Sequence, residues 1–134
     1  MQSLDKLKPL ALLLLRWGLA IIFIFHGFPK LFGHTQETLH YFAGMGFPAY
    51  FAYIAGIVEF FGGCMLAVGF FTRIAALLIA GEMAVALWKV HLVHGVLAVP
   101  DYQFPLSLAV GAFALVALGA GVVSLDYAIF KGKA

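Results

Sequence analysis

Long apolar runs alternate with short polar breaks along this chain, at the spacing of membrane-crossing helices. The first run extends roughly from Leu10 to Phe32, with Pro9 at its first turn, where a missing N–H costs nothing, and Pro29 placed to kink or end it. The longest polar stretch follows, Gly33 to Gly46, with His34, Thr35, Gln36, Glu37, Thr38 and His40 beside Tyr41 and Phe42. It reads as a loop or a short helix lying at the membrane interface. A second run opens at Pro48 and continues to about Phe71, and a third runs from Thr72 or Arg73 to Val93. Only Gly69-Phe70-Phe71-Thr72-Arg73 separates them, which requires a tight antiparallel hairpin. After a connection from His94 to Asp101, a fourth run occupies about Tyr102 to Gly121, with Pro105 in its first turn and Gly119 and Gly121 as terminators. Ser124 and Asp126 are placed to cap a last amphipathic turn ending in Lys131 and Lys133. The pattern predicts an all-α membrane protein, a four-transmembrane-helix antiparallel bundle, in one domain over residues 1–134 with spans at 10–32, 48–71, 73–93 and 102–121.

Composition removes the soluble alternative. Of the 134 residues 64% are hydrophobic and 10% charged, with a mean hydropathy of +1.05, whereas a soluble domain carries roughly a quarter charged residues. Such a chain cannot cover itself with polar surface, and lipid must serve as the outer solvent. Lys6 and Lys8 ahead of Leu10–Leu15 imitate a secretory signal, but Arg16 interrupts the run, hydrophobicity resumes to Phe25 and no small-residue cleavage site follows. This segment is expected to be an uncleaved first span.

Four spans put both termini on one side. Lys6, Lys8, Arg73, Lys131 and Lys133 then share a face against Lys30 and Lys89 on the other, and the positive-inside rule places both termini in the cytoplasm of a multi-pass cell-membrane protein. The net charge of +2 is scattered and no basic patch is interleaved with aromatics, so nucleic acid is not an expected partner. Cys64 is the only cysteine, so the chain has neither an intrachain disulfide nor a redox pair of its own.

The ionisable residues inside the runs are the informative ones, since each costs at least about 2.5–3.5 kcal/mol to insert and is expected to face a protein interior. Arg16, Phe23, His26 and Lys30 follow one another at helical spacing along a single face. Arg16 is near enough to the cytoplasmic end to snorkel as an interface anchor. Lys30 can reach outward in the same way, while His26 is shorter and needs a partner. Glu59 lies near the centre of the second run among Ala52, Ala55, Gly56, Gly62 and Gly63, small residues that let another helix approach. Its carboxyl group must be neutral or paired with a cation such as His26 or Lys30, as a packing strut or as a proton or ligand site. Glu82 occupies the middle of the third run. His91 and His94 have a His-x-x-His spacing, but two ligands fall short of a haem or metal site, and no metal is assigned.

Arg16-Trp-Gly-Leu-Ala-Ile-Ile-Phe23, His26-Gly27, Lys30-Leu31, Gly46-Phe-Pro48, Glu59-Phe-Phe-Gly-Gly63, Gly69-Phe-Phe-Thr-Arg73, Gly81-Glu-Met-Ala-Val-Ala86, His91, Gly119-Ala-Gly121 and Ser124-Leu-Asp126 follow one another in an order and spacing that resemble the DoxX family of small four-span membrane proteins. The resemblance covers nearly the whole chain. The family takes its name from a subunit of a thiosulfate:quinone oxidoreductase, and the resemblance implies a membrane subunit associated with a quinone-linked redox complex, of sulfur compounds or oxidative stress. Gln103 stands where related proteins often carry a glutamate. On this reading His26, Glu59 and Glu82 are the candidate catalytic groups, His26, Lys30, Glu59 and His91 would contact a quinone, and electrons come from a partner or bound cofactor. Two readings from other classes stand beside it, a small proton- or cation-coupled transporter and a structural assembly factor. Each fits association into a homo-oligomer or with other redox-complex subunits in the bilayer.

Overall fold

The computed structural model describes residues 2–91, 95 and 97–130, the side chains of Val90, His91 and Asp101 excepted. His94, Lys131 and Lys133 lie outside the described residues, so the histidine pair and the end of the last turn are not addressed by it. The regular structure among the described residues is all helical, without strands: α1 Gln2–Asp5, α2 Lys8–Phe32, α3 Thr35–Gly44, α4 Tyr50–Val68, α5 Thr72–Ala86 running into a π-helical turn Leu87–His91, α6 Val99–Leu118 and α7 Leu125–Phe130. Among these, α2 and α4 are long and apolar enough to cross a membrane, and Tyr102–Leu118 of α6 is a shorter apolar helix.

The helix ends fall where backbone chemistry puts them. Helix α2 continues through Pro29 and stops one turn later, where the His34 N–H donates to the Pro29 carbonyl at 2.9 Å. The polar stretch after it is the short helix α3. Helix α4 starts at Tyr50, two residues beyond Pro48, and ends earlier than its apolar run because Gly69 turns left-handed at φ 72° and the Phe70 N–H closes back on the Met65 carbonyl at 2.9 Å. Helix α6 begins a turn before Tyr102, and Gly119 at φ 80° ends it before Gly121.

Close approach at glycine sets the packing. A Cβ on Gly27 would collide with the backbone of Phe60, and one on Gly56 would lie 2.8 Å from Leu31 Cδ2. Helices α2 and α4 therefore run antiparallel in near backbone contact, the most extensive pairing in the molecule. The corner at Gly69 folds α5 back on α4, with Gly62 against Ile79, and α5 packs in turn on α6. Leu19, Phe23, Leu66, Ala76, Ile79 and Leu115 meet between the helices. The distribution is inverted relative to a soluble protein: Phe25 is 73% and Phe113 66% exposed, while Arg16 is 2% and Glu59 3% exposed. That is the arrangement expected where the surroundings are lipid.

Candidate functional site

Two polar clusters lie within this apolar framework. The first is built by the close pairing of α2 and α4. The buried stripe of α2 runs through Arg16, Ala20, Phe23 and Gly27 and reaches half-buried Lys30. With no side chain at Gly27 or Gly56, the end of α2 settles onto α4, and the Lys30 ammonium donates to Glu59 Oε2. The lysine side chain is 22% exposed and the glutamate 4%, so the pair is dry on the carboxylate side and reaches outward on the other. Glu82 joins from α5. Gly62 and Ile79 touch across the hairpin, and Glu59 and Glu82, each one turn further from the corner, come level. Glu82 is close enough to feel the charges of both Glu59 and Lys30. Its two carboxyl oxygens are buried and have no hydrogen-bond partner among the described residues.

The structure thus brings Lys30, Glu59 and Glu82 together and places His26 apart from them. The His26 ring is exposed, its Nδ1 donates to the Ile22 carbonyl at 2.7 Å, and it lies 6.1 Å from the ring of Phe104 on α6. Of the two cations expected for Glu59, His26 or Lys30, it is Lys30 that meets the carboxylate, and His26 lies on the exposed face of α2. His91 belongs to the π turn, and its side chain is outside the described residues. Between α2 and α4 a shallow apolar groove of about 220 Å³ opens outward, lined by Trp17, Ala20, Ile21, Ile24 and Ala67.

The second cluster corrects the reading of Arg16 as a snorkelling anchor. The guanidinium is buried, its Nε donating to the Leu66 carbonyl at 2.8 Å and Nη1 to those of Ala120 and Val123, both at 2.8 Å. It ties the last turn of α4 to the segment between α6 and α7. Ser124 Oγ accepts the Tyr127 N–H at 3.1 Å and caps α7. Asp126, expected to share that cap, instead accepts the N–H groups of Phe71 at 2.6 Å and Thr72 at 2.8 Å at the start of α5, while its own N–H donates to the Gly69 carbonyl at 2.8 Å. A Cβ on Gly69 would strike Ser124 and lie 2.8 Å from Arg16 Nη1, so only glycine fits there.

The pattern of these residues agrees with a match to the DoxX family model over residues 11–92. The chain belongs to the DoxX family. It is similar to "Putative oxidoreductase CatD" of Bacillus subtilis (strain 168), 31% identical over 97% of this chain and 95% of the relative. It is also similar to two proteins of Escherichia coli (strain K12): inner membrane protein YphA, 35% identical over 89% of this chain and 90% of the relative, and inner membrane protein YqjF, 33% identical over 96% and 98%. No solved structure matches the chain. The DoxX match contains Arg16, Lys30, Glu59 and Glu82 and ends before Asp126. The inverted surface described above is thus that of a membrane-family protein, two of whose relatives are named inner membrane proteins.

Proposed function

We propose that this DoxX protein is a membrane subunit of a quinone-linked redox complex, and that the Lys30–Glu59–Glu82 cluster is its proton or ligand site. The carrying observation is a part-buried ion pair, dry on its carboxylate side, with a further buried carboxyl group beside it, inside a helical assembly whose outer surface is aromatic and aliphatic. Reducing a quinone consumes protons as well as electrons, and intramembrane acids are groups able to carry them. The groove along α2 and α4 would accept an apolar tail. A relative whose name carries the word oxidoreductase supports the same reading. Cys64 alone cannot carry a two-electron disulfide step, so electrons come from a partner subunit or bound cofactor.

In this proposal α2, α4, α5 with its π turn, and α6 are the four spans of an antiparallel bundle. Helix α6 has 20 residues, enough for about 30 Å of hydrocarbon. Both termini are cytoplasmic, with α3 on the opposite side. In a Cys64→Ser background, Gln36→Cys and Val99→Cys should react with an impermeant thiol reagent from outside, and Lys133→Cys should not; outside labelling of Lys133→Cys overturns the orientation. For the activity, protein purified in mild detergent should retain quinone that extraction and chromatography detect. Added quinone should quench tryptophan fluorescence at least tenfold more weakly with Glu59→Gln. Protein that neither retains quinone nor responds to it overturns the redox reading.

A further inference from the structure

The three charged groups of the cluster are not equivalent. Glu59 has its counter-ion, because Lys30 donates directly to Oε2. Glu82 has no such direct donor among the described residues: its oxygens are buried and none of those residues hydrogen-bonds to them. A carboxyl group that served only to hold helices together would be expected to spend its acceptors on a backbone or side-chain donor. Asp126 does so at the other end of α5, with both oxygens occupied. Resting on the reading of this cluster as a functional site, we propose that Glu82 is the group that takes up and releases the proton there, with Lys30 and Glu59 as a standing ion pair beside it.

Charge and coordination chemistry select the proton as the ligand. With all groups ionised, one lysine and two glutamates leave a net negative charge in a dry interior, which excludes an anion and calls for one positive charge. A hard metal cation needs about six oxygen ligands. Among the described residues no group of three acidic, histidine or cysteine side chains is assembled to hold one, and Glu59 Oε2 is already engaged by Lys30. A proton needs a single oxygen. Loading adds it to one Glu82 oxygen, taken from water at the end of the molecule where Lys30 is part-exposed, and neutralises the cluster. Release returns it, and no other bond changes. The groups bearing on Glu82 are Lys30 from α2 and Glu59 from α4. The π turn beyond α5 carries Lys89 and His91, and α6 carries Asp101 and Tyr102 in its first turn.

Infrared difference spectroscopy on the full-length protein in lipid nanodiscs tests this without substrate. The stretch of a protonated carboxyl group that accepts no hydrogen bond, at higher frequency than those of the exposed Asp5 and Glu37, should appear as the pH is lowered and shift in deuterated water, and this is the band followed in every variant. It should vanish in Glu82→Gln, move in Glu82→Asp and persist in Glu59→Gln. Lys30→Met, which strips Glu59 of its counter-ion, should add a second band. Tryptophan fluorescence and gel filtration verify that each variant is folded, and Glu82→Asp carries the test if Glu82→Gln does not fold. A titrating band retained in Glu82→Gln, unmoved in Glu82→Asp, abolished by sodium or potassium, or missing from the unaltered protein at every pH overturns the proposal. A protein that shows the Glu82 band but binds no quinone defeats the redox reading alone and leaves the proton site standing.

Discussion

The two ends of the molecule bury ionic groups by opposite rules. At the Arg16 corner, charged groups answer to backbone: the guanidinium meets the carbonyls of Leu66, Ala120 and Val123, and the Asp126 carboxylate meets two N–H groups. At the Lys30 cluster, charged groups answer to each other, and one acid is left over. Backbone groups cannot change their charge, so the partners in the first arrangement are fixed. Side-chain partners can gain or lose protons, so the second has several charge states. A buried arginine is an expensive way to join helices, and here its Nε and Nη1 meet three backbone carbonyls. Buried charge alone therefore does not mark a functional site; the unanswered carboxyl group is what distinguishes the two clusters.

Substitutions can break this contrast, beginning with the largest effect. Arg16→Leu removes charged hydrogen bonds worth about 1.5–3 kcal/mol each and leaves the carbonyls of Leu66, Ala120 and Val123 to find other donors. A loss of roughly 4 kcal/mol or more, read as a collapse in monodisperse yield and thermal midpoint in detergent, is expected from those values. A well-folded Arg16→Leu protein would abolish the distinction. Asp126→Asn keeps one acceptor for the Phe71 or Thr72 N–H and gives up the other, costing about 1–2 kcal/mol, the range of a lost helix cap.

At the other end the effects shrink. Glu59→Gln deprives Lys30 of its carboxylate, but the lysine is part-exposed and can turn outward, so a loss of about 1 kcal/mol is expected. The paired Lys30→Met, Glu59→Gln variant should recover most of it, and strict additivity in the double-mutant cycle would deny the ion pair. Glu82→Gln should move the midpoint least, by the equivalent of about 0.5 kcal/mol or less, since the carboxyl group has no described hydrogen bond to lose. A large loss there would make Glu82 architectural, like Arg16.

Much of the fold was legible because it rests on local signals. The hairpin between the second and third apolar runs follows from how few residues part them, and with that corner placed, Glu59 and Glu82 must come level. The small residues around Glu59 correctly announced a close helix, and Lys30 arrives on it. The position of His26 is not legible from its one-turn spacing to Lys30, because that spacing does not give the two residues the same face. Residues four apart on an α-helix still differ by about 40°, and the α2 stripe that packs is Arg16, Ala20, Phe23, Gly27, Lys30, with His26 beside it. Arg16 and Asp126 were misread for a different reason. Their partners are backbone groups, which have no signature in an amino-acid sequence, and Asp126 meets the start of α5 from more than fifty residues further along the chain. The nearest signal was positional: Gly69 and Ser124 each sit beside the residues that the corner joins.

Arg16 also sets an order on biogenesis. The carbonyls that its Nη1 meets belong to residues 104 and 107 positions later, so they do not exist when α2 emerges from the ribosome. Until α6 and the segment after it are made, Nη1 lacks these two acceptors, although the Leu66 carbonyl that accepts from Nε is already present. Synthesis of Ala120 to Val123 therefore supplies the last carbonyls that the guanidinium meets, and the first long helix waits on the end of the chain for its full set of acceptors.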